Sequence, residues 1–210
     1  ETLKTQTVVE GGAATAPTAP TVAGYDFAGW DKAFDNVTGD ITVKAVYTVK
    51  TFTITWVVDG KSTSETYNYG ATPTFKGTTD KAATAQYTYT FKGWDKAIAK
   101  VTGNATYTAQ YTQTVNKYTI TWNNYDGKPL ATDTVAYGET PVYTGATPVK
   151  PADATTTYTF AGWDKTIAKV TGNATYTATF TAGDAVTYTI TFVDEDGTTV
   201  LKTENVAYGA

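Results

Sequence analysis

Cysteine and histidine are both absent from the 210 residues. Without cysteine there is no disulfide and no thiolate metal site. Without histidine the commonest general base and the imidazole ligand are gone as well. Runs of basic residues are missing too. With a net charge of −4 and a pI near 4.8 the chain lacks the phosphate-neutralising surface of a nucleic-acid binder. No apolar run approaches the roughly 18 residues of a membrane span. No signal peptide or sorting motif is found, as in a stretch cut from a longer protein.

What is present is strand vocabulary. Hydrophobic residues make up 41% and aromatics 14%, with 16 tyrosines, which is ample apolar surface for folding. Threonine accompanies tyrosine throughout, and both favour strands. The segment Tyr87-Thr88-Tyr89-Thr90-Phe91 alternates aromatic and hydroxyl residues and then breaks at Gly93-Trp94-Asp95-Lys96. The same break returns at Gly29-Trp30-Asp31-Lys32 and Gly162-Trp163-Asp164-Lys165. The three tryptophans lie 64 and 69 residues apart, the mark of a tandem array. Each unit, of about 65–70 residues, sits near the lower limit for an independent core.

The expected divisions are residues 1–49, 50–116, 117–186 and 187–210. Block 1–49 lacks an opening strand, and its closing strand is expected to carry Ile41, Val43, Ala45 and Tyr47 on one face. Its Leu3–Gly12 matches Leu201–Gly209 near the other end. In block 50–116, Phe52, Ile54 and Trp56 alternate with threonines, and Asp59-Gly60 signals a tight hairpin. The Tyr87–Trp94 strand follows a loop from Ala71 to Ala85. Asp95 to Val101 is expected to form one helical turn capped by Asp95, with Ile98 and Val101 inward. Ala105, Tyr107, Ala109 and Tyr111 then share a face of the last strand. Block 117–186 repeats the order with Tyr118–Trp122, Asp126-Gly127, Thr134–Gly138 and Tyr176. Residues 187–210 form an opening hairpin, with Tyr188, Ile190 and Phe192 inward and Asp196-Gly197 at the turn.

The ordered motifs Tyr-Thr-Ile-Thr-Trp, Asp-Gly, Tyr-Gly-x-Thr-Pro, Phe-x-Gly-Trp and Thr-Gly-Asn-Ala-Thr-Tyr resemble the Listeria–Bacteroides repeat, related to the internalin B-repeat. Block 1–49 departs most, with Glu10-Gly11-Gly12 where Ala207-Tyr208-Gly209 stands later. The resemblance implies a β-rich chain, α+β at most, of small β-grasp-like domains in an elongated tandem array. It implies a secreted or cell-wall-attached bacterial protein in which such units form a stalk. It carries over no catalytic residue and no cofactor. The helix that usually crosses a β-grasp sheet has room only in the 71–85 loop or after Trp94, so little helix is expected.

Several residues invite a chemical reading. The Gly-Trp-Asp motif suits sugar stacking, but the preferred role is structural: Trp30, Trp94, Trp163, Gly29, Gly93, Gly162, Tyr107 and Tyr176 are taken as repeat anchors. Asp194-Glu195-Asp196 could hold Ca²⁺, yet only this copy is acidic, and a solvated hairpin tip is preferred. Asp95 and Asp164 each stand alone, which does not make the carboxylate pair of a glycosidase. Asn36-Val37-Thr38, Asn104-Ala105-Thr106 and Asn173-Ala174-Thr175 fit a glycosylation pattern and are read as turn residues. Two further readings stay open. The Tyr/Thr faces could bind a host glycan, mucin or protein. The 187–210 hairpin could complete block 1–49 of another molecule by strand addition, giving head-to-tail fibres.

Overall fold

Alternation decides the strands. In Thr51–Val58 the even-numbered Phe52, Ile54 and Trp56 turn inward and the intervening threonines turn to solvent. The same pattern in Lys117–Asn123 buries Ile120 and Trp122. The computed structural model describes residues 1–209 and is all-β. Among the described residues there are twelve strands and no helix. They are β1 (Tyr25–Trp30), β2 (Ala45–Val49), β3 (Thr51–Val58), β4 (Lys61–Asn68), β5 (Tyr87–Trp94) and β6 (Ala105–Val115). The rest are β7 (Lys117–Asn123), β8 (Pro129–Ala136), β9 (Tyr158–Trp163), β10 (Ala174–Ala182), β11 (Thr187–Val193) and β12 (Val200–Ala207).

Two four-stranded sheets have the orders β4-β3-β6-β5 and β8-β7-β10-β9, and two hairpin-like pairs are β1-β2 and β11-β12. In each four-stranded sheet the central pair is parallel, β3 with β6 and β7 with β10. The chain clusters into two compact units, residues 1–81 with 89–112, and residues 82–88 with 113–210.

Each unit has one aromatic core. In the first, Ile54, Trp56, Val101 and Tyr107 are buried, and Phe75 and Trp94 pack against them. In the second, Ile120, Trp122, Val170 and Tyr176 are buried, with Tyr143 and Trp163 against them. No helix crosses the inner face. An irregular loop takes that place: Pro73 is fully buried and Phe75 lies 5.5 Å from Trp56 and 5.1 Å from Trp94. Tyr143 holds the matching position, 5.5 Å from Trp122 and 5.1 Å from Trp163. Proline in that loop disfavours helix at its own position and the one before.

Five expectations are corrected. Tyr188, Ile190 and Phe192, expected inward, are all exposed, because among the described residues β11 and β12 pair only with each other and nothing covers their face. The helical turn after Trp94 does not form, because the Asp95 carboxylate accepts the Thr108 N–H at 2.8 Å across the sheet rather than capping a helix. Val101 is buried, but Ile98 is exposed. In the first block only Ala45–Val49 is strand, and Ile41 is exposed, since no parallel partner lies beside it among the described residues. Finally, Asn36 is not equivalent to Asn104 and Asn173. The bonds Gly11 N–H to Val37 O, Gly70 N–H to Val101 O and Gly138 N–H to Val170 O align the three valines. Three residues on from each stand Asp40, Asn104 and Asn173.

Candidate functional site

The features that recur from block to block are backbone devices. The first is the corner at Gly-Trp-Asp. Gly29, Gly93 and Gly162 have φ of +129°, +137° and +124°, a region that only glycine occupies easily. Next to Gly29 and Gly162 the pairing register shifts by one residue, as at a β-bulge. The following aspartate clasps the neighbouring strand twice. Asp95 N–H donates to Thr108 O and its carboxylate accepts Thr108 N–H, both at 2.8 Å. Asp164 does the same with Thr177, and Asp31 with Lys44. These carboxylates are therefore occupied in closing a strand pair.

The corner sets the indole. Trp94 lies 4.7 Å from Trp56, and Trp163 lies 4.7 Å from Trp122. The deepest rings are Trp56 and Trp122, 1% and 0% exposed, with Tyr107 and Tyr176 stacked on them at 4.9 Å. Trp94, Trp163 and Trp30 are half-buried. In the first block Trp30 meets Phe27 at 5.4 Å, and Phe27 remains exposed.

The second device is the asparagine before the last strand. Asn104 Oδ1 accepts the Thr53 N–H at 2.8 Å, and Asn173 Oδ1 accepts the Thr119 N–H at 2.9 Å. Each side chain thus adds a rung below the parallel ladder, whose first register pairs are Ile54 with Ala105 and Ile120 with Ala174. A turn preference alone did not reveal this, because the Thr53 and Asn104 positions are brought together only by the parallel pairing.

The third device is the link between successive strands. Lys50 alone separates β2 from β3, and Asn116 alone separates β6 from β7. Lys50 N–H donates to Gly24 O while Lys50 O accepts Tyr69 N–H, both at 2.8 Å. Asn116 N–H donates to Gln86 O at 2.8 Å while Asn116 O accepts Tyr137 N–H at 2.9 Å. Ahead of β11, Val186 repeats the arrangement with Thr155 O at 3.4 Å and Tyr208 N–H at 3.0 Å. Side chains reinforce it: Lys50 pairs with Asp26 at 3.3 Å, and Asn116 Nδ2 donates to Thr84 O at 2.8 Å and Ala85 O at 3.1 Å.

The acidic tip is a turn. Asp194 accepts the Glu195 N–H, and Asp196 accepts Thr198 N–H, Thr199 N–H and the Thr199 hydroxyl. These bonds, that from the Thr199 hydroxyl foremost, hold the Asp196 carboxyl down at about 2. Asp153 is held at about 2 likewise, chiefly by the Tyr158 hydroxyl and then by Thr155. Among the described residues no group of three or more acids, histidines or cysteines is arranged to hold a metal. A shallow trough of about 430 Å³ is lined by Thr53, Thr55, Lys96, Asn104, Ala105 and Thr106.

Such tandem all-β sheet units define a class, the repeat arrays. A family model described as the Listeria–Bacteroides repeat domain matches residues 1–50, the block whose Glu10-Gly11-Gly12 departs from the others. Internalin H of Listeria monocytogenes serovar 1/2a is 34% identical over 122 residues, spanning 48% of this chain and 21% of the internalin. The chain thus spans about a fifth of the length of that relative. A solved structure of Streptococcal High Identity Repeats in Tandem domains 3–4 from a cell surface protein aligns with 64% of this chain and 99% of itself, at 21% identity and a TM-score of 0.32. Over residues 1–50 the chain is thus similar to the Listeria–Bacteroides repeat domain.

Proposed function

We propose that the chain is a non-enzymatic spacer, part of the stalk of a secreted or cell-surface bacterial protein. The observation that carries this is the doubly bonded link: Lys50, Asn116 and Val186 each have their N–H and C=O tied to residues on either side. A link with both backbone groups bonded is stiff, whereas a glycine/serine linker is a flexible coil. The repeat frame is taken at 1–49, 50–116, 117–186 and 187–210, each complete block a β-grasp-like sheet with a loop in place of the helix. The partners are the neighbouring repeats of the same chain; no cofactor, nucleic acid or membrane span enters this reading. Small-angle scattering on the fragment tests it. A rod-like profile that keeps its length across salt concentrations is expected, and a compact or freely jointed profile overturns it.

A second reading, self-assembly, is favoured by one observation. Ile190 and Phe192 are 40% and 48% exposed, while Ile120 and Trp122 at the same strand positions are both 0% exposed. In the first block Phe27 and Ile41 are exposed as well. A second copy's first block would cover that hairpin, with its closing strand beside β11. A light-scattering mass that rises with concentration, and falls back when residues 187–210 are deleted, is its signature. A third reading makes the repeats adhesive for a host glycan or protein. Its candidate surface is the trough beside Lys96, and glycan-array binding lost in Lys96→Ala would mark it.

A further inference from the structure

We infer that the two four-stranded sheets are shear clamps, built to resist tension applied along the chain. In the first sheet the chain enters at the start of β3 and leaves at the end of β6, and these strands are neighbours running parallel. Pulling on Lys50 and Asn116 therefore drives β3 and β6 past each other along their own axes. The rungs between them lie across that pull and are strained together, so all must fail at once. The register pairs Ile54–Ala105, Thr55–Thr106, Trp56–Tyr107 and Val57–Thr108 share the load, and the Thr53–Asn104 bond adds one more. The second sheet has the same design: β7 and β10 run parallel from Ile120–Ala174 to Asn123–Thr177, extended by the Thr119–Asn173 bond.

The same chain contains its own contrast. In β11-β12, Thr187 pairs with Ala207, and in β1-β2, Tyr25 pairs with Val49. The two ends of each pair emerge on the same side, so tension peels the rungs apart one at a time. Two strong barriers are therefore expected in the whole molecule, one per four-stranded sheet. Shear loading also accounts for the single, backbone-bonded link at Asn116: with that residue as the sole spacer, force passes directly from the central strand β6 into the central strand β7.

The inference rests on the spacer reading for the source of the tension, and on strand geometry alone for the response to it. A chain that is rod-like in scattering but yields at low force sinks the clamp and leaves the spacer standing. The opposite pair of results does the reverse.

Single-molecule pulling on the intact chain is the test. Because the chain has no cysteine, introduced thiols are the sole attachment points. One variant carries Thr51→Cys and Thr114→Cys, which load β3 against β6. Another carries Thr51→Cys and Asn68→Cys, at register partners in the β3-β4 hairpin, which loads the same sheet in peeling mode. All three positions are exposed, and melting temperatures of the two variants check that the fold is equal. The 51/114 geometry is expected to rupture at several-fold higher force than 51/68, after which the freed span reaches an extended length of about 210–230 Å at roughly 3.3–3.6 Å per residue. Adding Asn104→Ala is expected to lower the 51/114 force and leave the 51/68 force unchanged. Asn104→Asp, which keeps the oxygen acceptor, restores it. Equal forces in the two geometries overturn the clamp, and an Asn104→Ala loss of the same proportion in both geometries removes the asparagine from it, since forced rupture follows the barrier along the pulled direction rather than stability as a whole.

Discussion

Trp122 and Trp56 occupy the same place in their units, yet their indole nitrogens differ. Trp122 Nε1 donates to Asp133 at 2.7 Å, whereas Trp56 Nε1 is buried without an acceptor. Glu65 stands opposite Ile54 as Asp133 stands opposite Ile120, but its carboxylate is taken by the Tyr67 hydroxyl and by Lys76. One methylene in the side chain redirects the acid. Asp133→Ala is therefore expected to destabilise its unit by about 1–3 kcal/mol through the orphaned N–H. Glu65→Ala, which deserts no buried donor, should cost less, and chemical denaturation of the two variants side by side measures the difference. An unpaired N–H beneath a packed ring is invisible to pattern reading, because both tryptophans sit in the same alternating motif.

At the scale of the element, the corner glycine and the turn carboxylates set the terms. Gly162 has open space where a Cβ would stand, so Gly162→Ala creates no clash and costs only the backbone strain of φ +124°. A loss of about 1–3 kcal/mol is expected, seen as an earlier midpoint in denaturant for the second unit. The aspartates at 153 and 196 predict an acid response. Both titrate at about 2 when folded, below the unfolded value near 3.9. A depressed carboxyl stabilises the folded form in full above about pH 4, and that contribution is lost as pH falls through 2. Carboxyl NMR titration should place both midpoints near 2, and Thr199→Val should return that of Asp196 toward the ordinary value.

Much at this scale was legible from side chains alone. Alternation located β3, β5, β6 and β7, and Asp59-Gly60 forms the tight turn its chemistry demands, with φ of +47° and +75°. What escaped were interactions made by topology. Asp95 resembles a helix cap until the sheet supplies Thr108 as a nearer donor. Pro73, Phe75 and Tyr143 lie in loops without periodicity, so nothing in their neighbourhood announces that they plug a core. Leu3–Val9 has the letters of a strand, but a strand needs a pairing partner, and among the described residues the segment is met by side-chain bonds to Thr15 and by no paired strand.

For the whole molecule, two separate cores imply that damage stays local. Trp56→Ala is expected to cost the first unit about 3–5 kcal/mol, and Trp122→Ala the second unit the same. In calorimetry each substitution should move one transition and leave the other in place. A single shared shift would show instead that the units melt as one body. Stability summed over units is the usual behaviour of repeat arrays.

The hairpin tips carry a practical consequence. Val58 pairs directly with Lys61 in one block, while Asn123 and Pro129 flank a longer excursion in another, where the register slips by one residue between Trp122 and Asn123 and is regular from there down. A tip that already tolerates differing numbers of residues is a natural insertion point. Grafting a foreign epitope between Asp126 and Gly127 should display it at fixed intervals along a concatenated scaffold, with the host sheet's melting point as the check on whether the passenger is carried without harm.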